Sequence, residues 1–323
     1  MKWFRHVCRF KQGGTARNVN SSLTAIAVGD FLFIGGSSMN NMYDGYELRN
    51  GVKNPCIGFG TYKAADGKSA EVIKTALDAG YRYFDTASFY GTEEYLAEAI
   101  QEYKVKREDL FLASKAWKTE MGYEKVRQAF EESLKRLQTD YLDLYLIHWP
   151  LPEDGYEDWE KLDLETWRGL EELYEEGRVR AIGVSNFLPY HLENLMKHSK
   201  IKPMVNQIEF HPGYTQELTV QYCKERDILV QAWSPIGRSA LLDHPVLLKL
   251  SEKYHVSVAQ ICIRYALQRG IVPLPKSSAY ERMKQNQDVF DFEISEEDMY
   301  RIGTIPQSGW SRLHPDGCSE RTV

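Results

Sequence analysis

The chain has 323 residues, of which 43% are apolar and 27% charged, enough for a sizeable core under a solvated surface; that excludes intrinsic disorder. Its 23 glycines and 12 prolines follow no period, which excludes a collagen-like chain, and a net charge of -6 argues against nucleic acid as the main partner. No stretch approaches the roughly 20 apolar residues of a membrane span. Five cysteines (Cys8, Cys56, Cys223, Cys262, Cys318) are odd in number and form no CxxC pair. They read as reduced thiols of a cytoplasmic protein, not as a disulfide framework.

Residues 1–39 stand apart. They carry five Lys or Arg and a single acid, Asp30, so the rest of the chain is more acidic than the total implies. An acid-poor, Arg- and Ser-containing start resembles an organelle transit peptide. The reading adopted is instead an upstream extension, with the working protein starting at Met39 or Met42; an organelle location through a transit peptide is the alternative. The run Phe31-Leu32-Phe33-Ile34 is too short for a signal-peptide core. The expected division is an extension over 1–41 and one domain over 42–323.

From Tyr46 onward, short apolar runs alternate with amphipathic ones. Asn50-Gly51, within Glu47–Val52, is a strong hairpin signal. Eight β-prone runs follow, at 57–61, 81–84, 110–113, 142–147, 179–184, 204–208, 229–232 and 271–274. Helical patterns lie between them at 69–79, 93–102, 123–137, 165–176, 189–197, 216–226, as a pair within 245–268, and at 279–289. Strands alternating with helices imply parallel pairing through helical crossovers. Eight such units over about 250 residues predict an α/β fold, a closed (β/α)8 TIM barrel. The N-terminal β-hairpin is expected to close its bottom. A doubly wound sheet fits less well: Gly58-Phe59-Gly60 is followed by Lys63 where a GxGxxG motif needs its last glycine.

The residues that follow the strands carry the chemistry. Asp85 ends the second run, Ser114-Lys115 the third and His148 the fourth, while Ser185-Asn186 and Asn206-Gln207 mark the fifth and sixth. In such a barrel these ends form one rim, where catalytic residues gather. A lone aspartate after a strand is usually a turn former. An acid, a lysine and a histidine on successive strand ends, with Tyr90 in a loop between them, are harder to explain as turns. No HExxH motif is present, and His191 and His198 lack a matching ligand set, so no metal is expected.

The runs Phe84-Asp85-Thr86-Ala87-Ser88-Phe89-Tyr90-Gly91, Ser114-Lys115-Ala116-Trp117, Asp143–Pro150, Gly183-Val184-Ser185-Asn186-Phe187 and Leu274-Pro275-Lys276-Ser277 resemble the aldo-keto reductase superfamily. The likeness is to its microbial and protist branch, with prostaglandin F synthases and 2,5-diketogluconate reductases. The resemblance implies a catalytic tetrad of Asp85, Tyr90, Lys115 and His148, and NADPH as cofactor. It places the nicotinamide against Ser185, Asn186, Gln207 and Trp233, with Thr61, Tyr62, Asp85 and Ser234 nearby. Lys276, Ser277 and Arg282 would hold the 2′-phosphate and Asn286 the adenine. Trp233, Gln285 and Ala279 depart from the commoner residues at their positions.

The chemistry of the four residues can be argued separately. A tyrosine is a weak acid near neutrality, a neighbouring ammonium such as Lys115 is expected to lower its pKa, and Asp85 holds the lysine. His148 can stabilise the alkoxide that develops on a reduced carbonyl. Tyr62, Trp117, His148 and Trp149 are expected to line a substrate pocket that favours flat or apolar carbonyl compounds, with Ser308-Gly309-Trp310 over its mouth. The expected protein is a monomeric, NADPH-dependent carbonyl reductase. A nucleotide-sensing subunit of the same fold is the alternative.

Overall fold

The computed structural model describes residues 39–64 and 70–317. The expectations for residues 1–38, the helix start at Ser69, Cys8 and Cys318 lie outside them. The hairpin comes first: β1 (Gly45–Glu47) pairs antiparallel with β2 (Lys53–Pro55). Asn50 Oδ1 accepts from the Val52 N–H at 3.2 Å, and Gly51 takes the left-handed φ of 82° that this turn demands.

Eight strands then line up in chain order: β3 (Phe59–Gly60), β4 (Tyr83–Asp85), β5 (Phe111–Ala116), β6 (Leu144–Ile147), β7 (Ile182–Ser185), β8 (Val205–Glu209), β9 (Leu229–Trp233) and β10 (Val272–Leu274). Each pairs parallel with the next. The Gly58 N–H reaches the Pro273 carbonyl at 3.1 Å and the Gly60 N–H that of Pro275 at 3.2 Å, joining first strand to last. The barrel is therefore as expected. Most strand residues are buried on both faces, because side chains fill the inside and helices cover the outside. Gly183 serves a close approach: a Cβ there would lie 2.5 Å from the Val205 carbonyl oxygen.

The helices are α1 (Glu71–Asp78), α2 (Glu93–Tyr103), α3 (Tyr123–Leu137), α4 (Trp159–Glu175), α5 (Pro189–His198), α6 (Glu217–Lys224), α7 (Pro245–Tyr254), α8 (Val258–Gln268), α9 (Tyr280–Gln287) and α10 (Glu296–Gly303). Two differ from the sequence reading. Helix α4 begins six residues before the predicted 165, and α10 was not predicted. α10 is largely polar, burying Asp298, Met299 and Ile302, and its start is capped by Ser295, which accepts from the Asp298 N–H.

The hairpin lies at the N-terminal end of the barrel. Asn50 Nδ2 donates to the Arg180 carbonyl ahead of β7 at 2.8 Å, and an Arg49 guanidinium N–H to the Asp227 carbonyl ahead of β9 at 2.7 Å. The opposite rim is left for the strand C-termini. Cys56, Cys223 and Cys262 are buried free thiols. Among the described residues no helix is long and apolar enough to cross a membrane.

Candidate active site

Four side chains converge at the C-terminal rim. Asp85 is the last residue of β4, Lys115 the fifth of β5, and His148 directly follows β6. Tyr90 ends the single helical turn Ser88–Tyr90 that follows β4. Lys115 Nζ donates to Asp85 Oδ1 at 2.7 Å and to the Thr86 carbonyl at 2.8 Å, and lies 3.4 Å from the Tyr90 hydroxyl. On its other side Tyr90 Oη is 3.4 Å from His148 Nε2. His148 Nδ1 is buried and meets no partner among the described residues, so Nε2 is the ring nitrogen that faces the site.

Burial sets the protonation states. It pulls the Lys115 ammonium below its ordinary pKa, while the Asp85 charge and hydrogen bond oppose that pull. Burial, then the charges of Lys115 and Lys118, push His148 well below the usual imidazole range and keep it neutral. Tyr90 departs from expectation. Burial and the Asp85 carboxylate hold its pKa well above the usual phenol value, where the sequence reading had Lys115 lowering it. The reason is the 2.7 Å ion pair: an ammonium already matched by a carboxylate offers the phenol little net positive charge.

An aromatic wall surrounds the tetrad. The Tyr62 ring lies 5.0 Å from that of Tyr90, and the Trp117 ring 5.0 Å from that of His148. Trp149 is buried beside His148 at 6.4 Å. Phe89, which the sequence reading passed over, stacks flat on Trp117 at 3.8 Å and is 43% exposed. Glu120 was also missed. Its Oε2 accepts from the Trp117 N–H at 2.6 Å and from Ser88 Oγ at 2.7 Å, bracing the wall from both loops. The Ser308–Trp310 segment lies against the loop after β8, where the Ser308 N–H meets the Gly213 carbonyl and Trp310 stacks on Tyr214. Buried Glu209 at the end of β8 fixes it, accepting from Ser311 Oγ at 2.7 Å and the Ser311 N–H at 2.9 Å.

The residues expected to hold a nicotinamide lie beside the tetrad. Ser185 is in register with Gln207, and Ser185 Oγ donates to the Gln207 carbonyl at 2.8 Å. Asn186 adopts a left-handed φ of 63°, which asparagine tolerates. Its Nδ2 donates to the His148 carbonyl at 3.0 Å, and its Oδ1 accepts from Trp233 Nε1 at 2.8 Å. The tryptophan at this position thus adds an indole N–H that anchors Asn186. Gln207 gives one N–H to Asp85 Oδ2 at 2.8 Å, while its Oε1 accepts from no described residue. An unspent amide oxygen suits the N–H of a planar carboxamide.

Thr61 and Thr86 share Thr92 through hydroxyl contacts of 2.8 and 2.9 Å, which tie the start of α2 to both strand ends. Ser234, at a left-handed φ of 52°, continues the rim past Trp233. At the start of α9, Arg282 Nε donates to Ser277 Oγ at 3.2 Å, half-buried Lys276 precedes them, and Asn286 is buried farther along the helix. Two cations and a hydroxyl at a helix N-terminus suit a phosphate. Among the described residues no group of three or more His, Cys, Asp or Glu could hold a metal ion.

Residues 56–306 match the model of the aldo/keto reductase family. The chain is 48% identical over 277 residues to a glyoxal reductase of Bacillus subtilis, covering 85% of this chain and 98% of that one. It is 43% identical to a 9,11-endoperoxide prostaglandin H2 reductase of Trypanosoma cruzi, covering 83% and 93%. The fold also matches the crystal structure of an aldo-keto reductase complexed with NADPH, with a TM-score of 0.78 at 32% identity over 87% of this chain and 94% of that one.

Proposed function

This chain belongs to the aldo/keto reductase family, an oxidoreductase family whose members use NAD(P)H, and on that premise we propose that it reduces aldehydes and ketones to alcohols with NADPH as preferred cofactor. The observation that carries the reading is the Tyr90 hydroxyl, 3.4 Å from both Lys115 Nζ and His148 Nε2 on a buried rim. When bound, the cofactor supplies a hydride. The chain supplies the proton. Tyr90, kept protonated by burial, is the donor, and the Lys115 N–H directed at its oxygen stabilises the phenolate left behind. Neutral His148 holds the carbonyl oxygen as negative charge develops there. Asp85 keeps the ammonium charged and in place.

Lys276, Ser277 and Arg282 would hold the 2′-phosphate, Asn286 the adenine, and Thr61, Tyr62, Ser185, Asn186, Gln207, Trp233 and Ser234 the remainder. The wall of Tyr62, Phe89, Trp117 and Trp149 favours flat or apolar carbonyl compounds over open-chain aldoses, since buried sugar hydroxyls without partners cost free energy. The name of the Bacillus relative adds glyoxal, and that of the trypanosome relative the endoperoxide prostaglandin H2, to the compounds worth assaying. We further propose a cytoplasmic monomer, which sedimentation and cell fractionation would check.

The test is NADPH consumption by purified protein across glyoxals, aromatic aldehydes, quinones and aldoses, with Tyr90→Phe beside it. The variant should lose about a hundredfold or more in turnover while binding NADPH with nearly unchanged affinity. Retained turnover would remove Tyr90 as the acid.

A further inference from the structure

A chain of buried amides runs through the barrel interior beneath the tetrad. It begins at the hairpin, where Asn54 Nδ2 donates to the Pro55 carbonyl at 2.9 Å. Asn54 Oδ1 accepts from Gln231 Nε2 at 2.9 Å. Gln231 Oε1 in turn accepts from the Tyr83 hydroxyl and from Gln207 Nε2, both at 3.0 Å. The second Gln207 N–H goes to Asp85 Oδ2 at 2.8 Å. Asn54, Tyr83, Gln207 and Gln231 are all at most 1% exposed.

An amide has a donor end and an acceptor end of nearly equal size, so only its neighbours decide which way it faces. Here both ends of the chain are acceptors that cannot reverse: a main-chain carbonyl at Pro55 and a carboxylate at Asp85. Between them every donor meets an acceptor in one sense only. Turning Gln231 over would set its NH2 against that of Gln207 and its oxygen against Asn54 Oδ1. Gln207 therefore spends both hydrogens inward and keeps Oε1 unspent.

We propose that Gln231 is a positioning residue: by taking the second Gln207 N–H it holds the Gln207 oxygen ready to accept from a primary carboxamide, so that the site selects a nicotinamide over a ring bearing a carboxylate. This rests on the nicotinamide-binding reading above and adds to it the residue that sets the selection. A carboxylate offers only acceptors and meets the Gln207 oxygen with no hydrogen to share. With Gln231 gone, the second Gln207 N–H must find another acceptor, and the amide pivots about its bond to Asp85.

The experiment measures dissociation constants from tryptophan fluorescence for NADP+, for nicotinic acid adenine dinucleotide phosphate and for 2′,5′-ADP. Three proteins are compared: the native chain, Gln231→Leu combined with Tyr83→Phe so that no hydroxyl is orphaned, and Gln231→Glu, which retains an acceptor for Gln207. The native chain should prefer NADP+ to its carboxylate counterpart. The Leu/Phe variant should narrow that preference by about tenfold, the worth of one hydrogen bond. The Glu variant should retain it, whatever its stability. Affinity for 2′,5′-ADP, which lacks the ring, should be the same in all three. A preference unchanged across the three, or narrowed equally in both variants, overturns the role of Gln231 and leaves the nicotinamide reading standing. A native chain that binds neither NADP+ nor 2′,5′-ADP overturns that reading as well.

Discussion

Asp85→Asn keeps the shape of the side chain and removes the charge that balances Lys115. In the native protein Lys115 is fully buried, Asp85 nearly so, and they are 2.7 Å apart. Asp85 uses both oxygens as acceptors, one for Lys115 and one for Gln207. Asparagine has a single acceptor, so its NH2 must face another donor, an ammonium or an amide. Removing one partner of a buried pair costs about 3–5 kcal/mol, and burial then acts on Lys115 with the Glu93 carboxylate as the remaining opposing charge. The unfolded chain binds a proton at this lysine below about pH 10.4, whereas the variant's native state tends to release it. The variant therefore loses stability as the pH falls below that value. Guanidinium denaturation at several pH values would read this directly. A double variant with Lys115→Met should recover at least half of the loss, because no uncompensated charge remains, yet both variants should be nearly inactive. The coupling argument fails if Asp85→Asn is as stable as the native protein, or if the two substitutions simply add.

Replacing Lys276 and Arg282 by Met should weaken NADPH binding about tenfold per lost charge-assisted contact and leave NADH nearly unaffected, as measured by fluorescence titration. Trp117→Ala removes the ring on which Phe89 stacks and should lower kcat/KM for aromatic aldehydes more than for small aliphatic ones; an unchanged ratio would take Trp117 out of the pocket. Asp163 on α4 is fully buried with both oxygens unpartnered among the described residues, and burial holds its carboxyl well above the ordinary value. The native state keeps that proton while the unfolded chain loses it, so stability falls as the pH rises above the ordinary carboxyl range. Asp163→Leu should therefore gain about 1–3 kcal/mol at neutral pH and less in acid, which melting curves at two pH values would show.

The barrel was readable because its signal is periodic. Most barrel strands are short, largely apolar runs buried on both faces, the helices are amphipathic, and the Asn50-Gly51 turn marks the hairpin. Helix α10 escaped because only two of its three buried residues, Met299 and Ile302, are apolar, too few to set a period. The Ser295-x-x-Asp298 cap was the signal available for it. That Asp85, Lys115 and His148 meet was readable for a different reason: in a parallel barrel, position at the end of a strand already means position at the rim. Phe89 and Glu120 carry no such mark. Phe89 follows no strand directly, and Glu120 acts through a backbone N–H and a serine hydroxyl that only the folded loops bring to it.

Residue identity tells least about electrostatics. Tyrosine, lysine, aspartate and histidine in one mouth are compatible with a phenol whose pKa is lowered by a free ammonium and with one raised by burial. The choice turns on whether the ammonium is already matched. Here it is, at 2.7 Å, so burial decides, and Tyr90 rests protonated beside a neutral His148. The amide chain follows the same logic. In a string of letters Gln231 is a polar interruption of an apolar run and Asn54 a polar residue between Lys53 and Pro55, neither with any orientation. Once the barrel closes around them, two immovable acceptors at the ends of the chain dictate the sense of every amide between, up to the oxygen that Gln207 leaves unspent.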